Sequence, residues 1–492
     1  MAAIPRRGYV NFRMLLRVIG WLLNIEAIFM LAPCVVGFCY SEHSGLMFLA
    51  CIAITAGSGI AMVSLKQKSR EMGKREAIIL TGLTWIVLSL FGMLPFLFCG
   101  THISITDAFF ETMSGFTTTG ASVLDTLHGV PHSILLWRCV VQWIGGLGII
   151  LFTLAVLPML NYQGGILLFN AEVTGITHDK LRPRVSFTAQ SLWMVYIVLT
   201  GICIALLCFS ELDIFDAICY GLSTISTGGF SNQDVSVSEI GDLYIKIVLM
   251  VFMFMGGVNF SLLYKLVTGK IREAFRNEII RWYICLILFF AVILALNVLV
   301  RGLMENIQDV TIDPLFQAVS IISSTGLTEP DFYDWGPIPI VVLIIMMVMG
   351  ACAGSTSGGA KIDRFVILFK FIKNEFHKLM HPNAVMTVTL NGKGTPSPVL
   401  MKTLAFLFLY IVVIMLGGTG MVLFGLPLKD SFFIALSAVS NTGLGTDITG
   451  LNGNFALIPD AAKWFVAFLM LVGRLELFTI LVLFLPSFWK KK

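Results

Sequence analysis

Four segments of the chain contain residue types that can bind a dehydrated monovalent cation through backbone carbonyl oxygens. Each has an Asp, a Ser seven residues later and a Gly six residues after that Ser, with small or hydroxylated neighbours around the Gly. The aspartates are Asp107, Asp216, Asp313 and Asp430, and the glycines are Gly120, Gly229, Gly326 and Gly443. Four matches at one spacing indicate an internal repeat, with successive glycines 97 to 117 residues apart.

The stretch between each Asp and its Gly is too short to cross a bilayer. It predicts a re-entrant half-helix with the Asp at the N-cap or against the positive end. A glycine with positive φ would then aim its carbonyl at a shared axis. The candidate selectivity filter comprises Thr118, Thr119, Gly120, Thr227, Gly228, Gly229, Ser324, Thr325, Gly326, Asn441, Thr442 and Gly443. The alternative, ordinary outer loops with turn glycines, does not explain four copies at fixed spacing.

The composition indicates a membrane protein. Apolar residues make up 57% and charged residues 13% of the 492-residue chain, and the mean hydropathy is +0.89. Soluble domains carry about 25% charged residues. We therefore expect an all-α polytopic membrane protein, which excludes a soluble enzyme and a disordered chain. The ten cysteines form no C-x-x-C pair and the seven histidines have no metal-ligand spacing, so we expect no disulfide framework, structural metal or bound cofactor.

Ten apolar stretches are long enough to span the bilayer. They are 14–38, 45–65, 77–99, 133–160, 186–210, 243–267, 280–300, 337–372, 399–424 and 461–489. Lys and Arg in the segments assigned to one side, span ends included, number 25, and those assigned to the other side number 5, which predicts cytoplasmic termini. The last eight spans flank the repeated segments in pairs, giving four membrane–pore–membrane units around one pore. The predicted divisions are a two-helix extension 1–75 and pore repeats 76–182, 183–272, 273–380 and 381–492.

The eighth span is too long for one straight crossing and has glycine and hydroxyl residues in its middle. Because such residues weaken a helix, we expect two half-helices joined by an intramembrane loop at 350–361, below the filter. The candidate gating residues are Gly354, Ser355, Thr356, Ser357, Gly358, Gly359 and Lys361. The string is not a nucleotide-binding P-loop, because it lacks the Gly-Lys-Ser/Thr ending. For the glycines at 145–148 and 256–257, close helix packing is the preferred interpretation.

Charged residues inside the spans indicate function by default. They are Glu26, Lys361, Asp363, Arg364, Arg474 and Glu476. Arg474 suits an electrostatic barrier below the filter or a donor of hydrogen bonds to loop carbonyls. An ion pair with Glu476 is the structural alternative, although i,i+2 spacing separates the two on a helix. Glu26 suits a helix-packing contact, and Asp363 and Arg364 are expected in solvent near the cytoplasmic end.

Outside the membrane, acidic residues recur beside each repeated segment. The outer segments sum to −14 and the cytoplasmic ones to +18, which together give the net charge of +4. The four repeated aspartates, with Glu111, Glu329 and Asp447, therefore predict an acidic vestibule that concentrates cations at the filter mouth.

These motifs resemble those of the Trk/Ktr/HKT superfamily of potassium transporters, and within it the bacterial TrkH type. The segments that carry the resemblance are Gly115–Gly120, Ser226–Phe230, Ser323–Leu327, Ser440–Leu444, Gly354–Gly359 and Gly473–Glu476. The resemblance covers essentially the whole chain. It implies a homodimer in the bacterial inner membrane, a K+-preferring filter with glycine in all four repeats, a constriction at Arg474, and control by a cytoplasmic nucleotide-binding ring of TrkA or KtrA type. Gly228 and Asn441 depart from the Thr of other repeats.

With this resemblance, the sequence favours a gated, potassium-selective subunit for K+ uptake, in which ions move down their electrochemical gradient without catalysis. The alternative is a secondary carrier that couples K+ entry to H+ or Na+. Carriers often contain inverted repeats, whereas these four repeats run parallel. A membrane enzyme would need convergent His, Asp or Glu residues at membrane depth, and the sequence presents no such set. No nucleic-acid partner is expected.

Overall fold

The computed structural model describes residues 11–65, 73–101, 103–124, 126–146, 148, 185–233, 243–303, 306–328, 335–384, 386–446, 449, 454–475 and 477–490. This part of the chain is largely helical. A helix satisfies its own backbone groups, which a bilayer interior requires. Two short strands, β1 (Thr389–Leu390) and β2 (Lys393–Gly394), pair antiparallel in a hairpin that precedes the long helix Ser397–Leu423.

The first half of the described chain contains eleven helices. They are α1 (Phe12–Phe29), α2 (Leu31–Cys39), α3 (Ser44–Val63), α4 (Lys74–Gly92), α5 (Leu94–Phe98), α6 (Ile105–Phe116), α7 (His132–Gly146), α8 (Val185–Leu207), α9 (Ile214–Ile225), α10 (Leu243–Gly257) and α11 (Phe260–Val267).

The second half of the described residues continues with ten α-helices and one 3-10 turn (Val482–Phe484). The helices are α12 (Ile271–Phe275), α13 (Glu278–Arg301), α14 (Ile307–Ile322), α15 (Pro337–Met349), α16 (Ile362–Met380), α17 (Ser397–Leu423), α18 (Leu428–Ser440), α19 (Asp460–Arg474), α20 (Leu477–Leu481) and α21 (Pro486–Trp489).

Six helical segments in the described part are long and apolar enough to cross a membrane, or eight if each of two bent pairs counts as one. The expected span 133–160 is helical as far as Gly146, and most of its remainder lies outside the described residues. The expected spans 243–267 and 461–489 are each bent at a break in the helix. Helix α10 ends at Gly257 and meets α11 at 111°, and α19 ends at Arg474. Asn259 starts α11 afresh, because its side chain caps the amide of Ser261.

Four short helices, α6, α9, α14 and α18, coincide with the repeated segments and have 12, 12, 16 and 13 residues. At 1.5 Å per residue they are shorter than a bilayer core. Three of the repeated aspartates lie in the first turn of their helix, at its positive end, but none of the three is the N-cap. Asp313 differs, because α14 begins at Ile307 and its first turn carries Asp309 instead. The expectation that Asp313 starts its helix is therefore wrong.

The eighth expected span is divided. Helix α15 ends at Met349, and α16 begins at Ile362. Between them the backbone takes positive φ at Gly350, Gly354 and Gly359, and also at Lys361, where φ is +74°. A run of left-handed residues cannot continue a right-handed helix, so the segment folds as a loop. Residues 350–361 are called the intramembrane loop below.

Candidate ion-conducting site

Each short helix ends in the same backbone turn. The residue two positions before the filter glycine is left-handed, at Thr118 (φ 54°), Thr227 (53°), Ser324 (55°) and Asn441 (52°). The filter glycines follow with φ of 84°, 77°, 79° and 72°. The amide between these two residues donates back to the carbonyl of the Ser six positions before the glycine, at 2.9–3.0 Å in all four repeats. The fixed Ser-to-Gly spacing is thus the spacing of a helix C-terminal turn.

The four filter segments close into a ring. A Cβ added to each filter glycine would lie only 1.9–2.2 Å from a carbonyl oxygen of the next repeat, far inside van der Waals contact. The distances are 2.2 Å from Gly120 to Gly228 O, 1.9 Å from Gly229 to Thr325 O, 2.2 Å from Gly326 to Thr442 O and 2.1 Å from Gly443 to Thr119 O. The last contact returns to the first repeat, so the order of repeats around the ring is the order of the sequence.

The positive φ of the filter glycines and the close approach of a neighbouring carbonyl both depend on the absence of a side chain. Positive φ strains any residue with a Cβ, and the neighbouring carbonyl leaves that Cβ no space. The contact is made by backbone, which cannot swing aside as a side chain does. The ring therefore brings carbonyl oxygens of four segments together, and the C-terminal, negative ends of four helices lie behind it. This arrangement can replace the hydration shell of a monovalent cation.

Asn441, one of the two departures from the repeated pattern, connects the fourth segment to its neighbours. Its side-chain amide donates to Thr119 Oγ1 (3.0 Å) and to the carbonyl of Met470 in α19 (2.9 Å). Gly473 of the same helix packs so closely that a Cβ there would lie 2.2 Å from Val439 O. Asn441 therefore joins the first and fourth filter segments to the helix that ends in Arg474.

The intramembrane loop lies against the C-terminal ends of the short helices. The Thr356 hydroxyl contacts the Thr227 hydroxyl (3.1 Å) and can donate to Ile225 O at 3.2 Å. The amide of Gly358 donates to Ser324 Oγ, and a Cβ on Gly358 would lie 1.9 Å from Ser440 O. The loop thus touches repeats two, three and four where the filter meets its helices.

The other loop residues hold the loop's own shape. Ser355 Oγ donates to Cys352 O (2.6 Å) and contacts Ser357 Oγ (2.8 Å). Gly354 O accepts the amide of Phe260, where α11 begins, at 3.0 Å. Lys361 is 3% exposed and its Nζ donates to the carbonyl and hydroxyl oxygens of Ser357. Gly359 packs against Gly350 across the base of the loop, where a Cβ would lie 2.7 Å from Gly350 Cα.

Arg474 links the loop to the first repeat. Its guanidinium donates to Thr356 O (2.6 Å) and to Gly145 O (2.6 Å) and Gly146 O at the end of α7. The structure therefore shows the loop-carbonyl contacts that the sequence offered as one option for this side chain. Glu476, the partner in the alternative ion pair, lies outside the described residues.

The glycine pairs assigned to close packing have that geometry where they are described. A Cβ on Gly145 would lie 1.9 Å from Phe116 O, and one on Gly257 would lie 2.2 Å from Tyr283 Oη. Gly256 and Gly257 also expose carbonyls that accept the amides of Thr356 and Cys352. The break between α10 and α11 thus supplies acceptors for the loop.

The expectation that Arg364 lies in solvent is wrong. Arg364 is 7% exposed, donates to Ala360 O (2.9 Å) and stacks 3.6 Å above the Phe406 ring. Asp363 accepts the amide of Ala353 at 2.7 Å. Both residues hold the loop's second end, because the helix they start begins inside the protein, and Asp363 itself is half-buried. Glu26 is 3% exposed and packs against α4 at Gly92, and neither of its carboxylate oxygens has a hydrogen-bond partner among the described residues.

Three of the five described acids in the expected acidic vestibule pair with a cation. Asp107 accepts from Lys463 Nζ (2.6 Å) and Asp313 from Lys246 Nζ (2.8 Å). Asp216 accepts from two side-chain amides, and Asp430 is 6% exposed. Glu111 is 1% exposed and belongs to an internal ion pair. Glu329 and Asp447 lie outside the described residues.

Sequence reasoning missed the buried ion pair behind the first two filter segments. Arg138 Nε donates to Glu111 Oε1 at 2.7 Å, and the two side chains are 2% and 0% exposed. Arg138 also donates to Ser122 Oγ and Ser231 O, each 3.1 Å away. Ser122 and Ser231 each follow a filter glycine by two residues, so this one guanidinium braces two repeats. The only sequence signal was an arginine one turn inside an apolar span.

Comparisons with known proteins agree with this geometry. The family model described as TrkH, cation transport protein, matches residues 43–491. The Trk system potassium uptake protein TrkH of Salmonella typhimurium is 35% identical over 487 residues, covering 98% of this chain and 100% of that protein. The Trk system potassium uptake protein TrkG of Escherichia coli is 32% identical over 491 residues, covering 98% and 99%. The crystal structure of the potassium transporter TrkH from Vibrio parahaemolyticus matches with a TM-score of 0.88 at 32% identity, covering 98% and 100%.

Helices, ring and loop together define a multi-pass helical membrane protein of the cation-transport class. The chain belongs to the TrkH family of cation transport proteins.

Proposed function

We propose that this protein is a gated, K+-selective translocation subunit for potassium uptake across the bacterial inner membrane. Its ten spans would comprise four membrane–pore–membrane repeats and an N-terminal helix pair, with both termini in the cytoplasm. K+ would bind to filter carbonyl oxygens only, and the chain would need no cofactor. The observation that carries the proposal is the closed ring of glycine–carbonyl contacts through all four repeats.

The gate would be the intramembrane loop together with Arg474. The loop lies against the short-helix ends of three repeats, and Arg474 connects Thr356 in the loop to the end of α7 in the first repeat. A positive charge beneath the ring opposes cation passage, and its hydrogen bonds hold the loop in place. Opening would require the Arg474–Thr356 contact to break.

Assembly is proposed from family membership. The relatives are potassium uptake proteins of Trk systems, which supports K+ as the ion carried here. A homodimer controlled by a cytoplasmic nucleotide-binding ring of TrkA or KtrA type fits the excess of basic residues on the cytoplasmic side. The proposed divisions remain 1–75 for the extension and 76–182, 183–272, 273–380 and 381–492 for the repeats.

Replacing Gly326 with Ser tests the filter. The new Cβ would meet Thr442 O at 2.2 Å in a backbone with φ of +79°. We expect a marked fall in the ratio of K+ to Na+ flux through purified protein in liposomes. Unchanged selectivity in folded protein would remove the filter assignment.

Gly269→Ser is the matched control. Gly269 has φ of +82°, and no atom lies within 4 Å of its added Cβ. It therefore reproduces the backbone strain without the ring contact, and selectivity should not change. The same liposomes distinguish a channel from a coupled carrier, because only a carrier's reversal potential would follow an imposed proton or sodium gradient.

A further inference from the structure

The second filter segment is the one without a hydroxyl group before its glycine. In the other three repeats this position is a threonine whose Oγ1 contacts the hydroxyl two residues earlier. The pairs are Thr117–Thr119 (2.8 Å), Ser323–Thr325 (2.7 Å) and Ser440–Thr442 (2.9 Å). Gly228 offers no such group, so another part of the chain must fill this space.

Gln142 of α7 fills it. Its side chain is fully buried, and a Cβ added to Gly228 would lie 2.4 Å from Gln142 Cδ. Gly228 is not among the residues with positive φ, so its backbone conformation by itself would accept a side chain. What excludes a side chain at 228 is therefore the amide of Gln142.

Gln142 binds the segment on both sides of the filter glycine. Its Oε1 accepts the amide of Phe230 (3.2 Å) and the hydroxyl of Ser223 (3.1 Å), and its Nε2 donates to Gly228 O (2.7 Å). The Phe230 amide can only donate, which fixes the orientation of the Gln142 side chain. Gly228 O is also the oxygen that lies against Gly120 of the neighbouring repeat in the ring. A buried amide thus donates to one ring carbonyl.

We propose that Gln142 is a positioning residue that tunes ion selectivity through the carbonyl of Gly228. The proposal rests on the proposed function of the ring as a K+ filter. The Nε2–H group fixes the direction of this carbonyl and withdraws part of its negative field. The four filter segments are consequently unequal, because one has a buried amide where the other three have a hydroxyl pair. Selectivity depends on the number and field strength of the coordinating oxygens, so it depends on this amide.

The first test is Gln142→Leu, which keeps most of the volume and removes all three hydrogen bonds. We expect the K+/Na+ flux ratio in liposomes to fall by about fivefold, the equivalent of one neutral hydrogen bond. Val140→Ala, a buried apolar change on the same helix, is the control and should leave the ratio unchanged. A role in stability only would lower the melting temperature and leave the ratio of the folded protein at its wild-type value, which would overturn the proposal.

The second test restores the pattern of the other repeats. Gly228→Thr combined with Gln142→Ala supplies a hydroxyl two residues after Ser226 and removes the obstructing amide. We expect the double variant to recover the ratio to within about twofold of wild type, whereas Gly228→Thr alone clashes with Gln142 and loses flux. A double variant no more selective than Gln142→Ala would contradict the proposal.

Gly326→Ser, measured in parallel, separates this proposal from the filter assignment. If Gly326→Ser changes selectivity and Gln142→Leu does not, Gln142 has no tuning role and the filter stands. If neither changes selectivity, the ring is not the filter and both proposals fail.

Discussion

Under the gate proposed above, removing the Arg474 guanidinium should raise basal ion flux. In the structure this group donates to Thr356 O in the loop and to the carbonyls of Gly145 and Gly146. Arg474→Ala deletes the hydrogen bond from α19 to the loop carbonyl of Thr356. It also removes a positive charge next to the loop. The loop then keeps its contacts with the short helices but loses its hydrogen bond to α19.

The size of the effect follows from the loop contact alone. A hydrogen bond from a charged donor contributes about 1.5–3 kcal/mol, and 2 kcal/mol corresponds to roughly a 30-fold shift between closed and open forms. If the closed form predominates at rest, the range of about 1.5–3 kcal/mol predicts a rise in basal flux of about 10- to 160-fold. Loss of the electrostatic barrier acts in the same direction.

The assay is Rb+ or K+ uptake into liposomes containing purified protein without any regulator. Arg75→Ala is the control, because Arg75 also donates to a backbone carbonyl, that of Lys490, on the exposed surface. Arg474→Lys separates the two contributions, since lysine keeps the charge and loses the planar fork that reaches several carbonyls. We expect an intermediate flux. Wild-type flux in folded Arg474→Ala protein would show that Arg474 neither holds the loop nor limits conduction.

Three further predictions concern stability. Arg138→Met leaves Glu111 charged and buried, so the melting temperature should fall by the equivalent of about 3–5 kcal/mol. Adding Glu111→Met should recover part of that loss. No recovery in the double variant would mean that the two residues are not coupled. Gly257→Ala should also lower the melting temperature of the protein, because the new Cβ would lie 2.2 Å from the Tyr283 hydroxyl oxygen. Tyr283→Phe removes that oxygen and leaves the nearest ring atom 3.0 Å from the Cβ. The double variant should therefore regain the wild-type melting temperature. Burial alone would raise the pKa of Glu42, but hydrogen bonds from the start of α7 hold it below its ordinary value of 4.5. The ionised Glu42 side chain then stabilises the folded protein fully above pH 4.5, and this stabilisation is lost as the pH falls through the folded-state pKa. The difference in melting temperature between wild type and Glu42→Gln should therefore vanish in acid. A difference that stays constant with pH would refute the prediction.

The sequence was most informative where spacing repeats. A fixed Asp–Ser–Gly interval identified four short helices, and the structure ends each one in the same left-handed turn. The interruption at 350–361 was predictable for a related reason, because a dense run of glycine and hydroxyl residues weakens a helix. Both patterns are local, and local backbone preference decides them.

Other features were not predictable in this way. The sequence places Asp363 and Arg364 near an aqueous end, yet both are packed at the base of the loop. It counts Glu111 and Asp107 as free acids, yet each pairs with a cation from a distant part of the chain. A single sequence does not say which spans are neighbours, so these pairings could not be derived from it.

The sequence by itself indicated a membrane protein, a segment repeated four times at one spacing, and a glycine at the same position in each copy. These properties follow from composition, period and the conformational freedom of glycine. Tertiary structure alone decided that the repeats close in chain order, that Arg474 reaches both the loop and α7, and that Gln142 occupies the space left by Gly228. Such contacts join residues separated by 86 to 329 positions, and only packing of the helices brings them within hydrogen-bond distance.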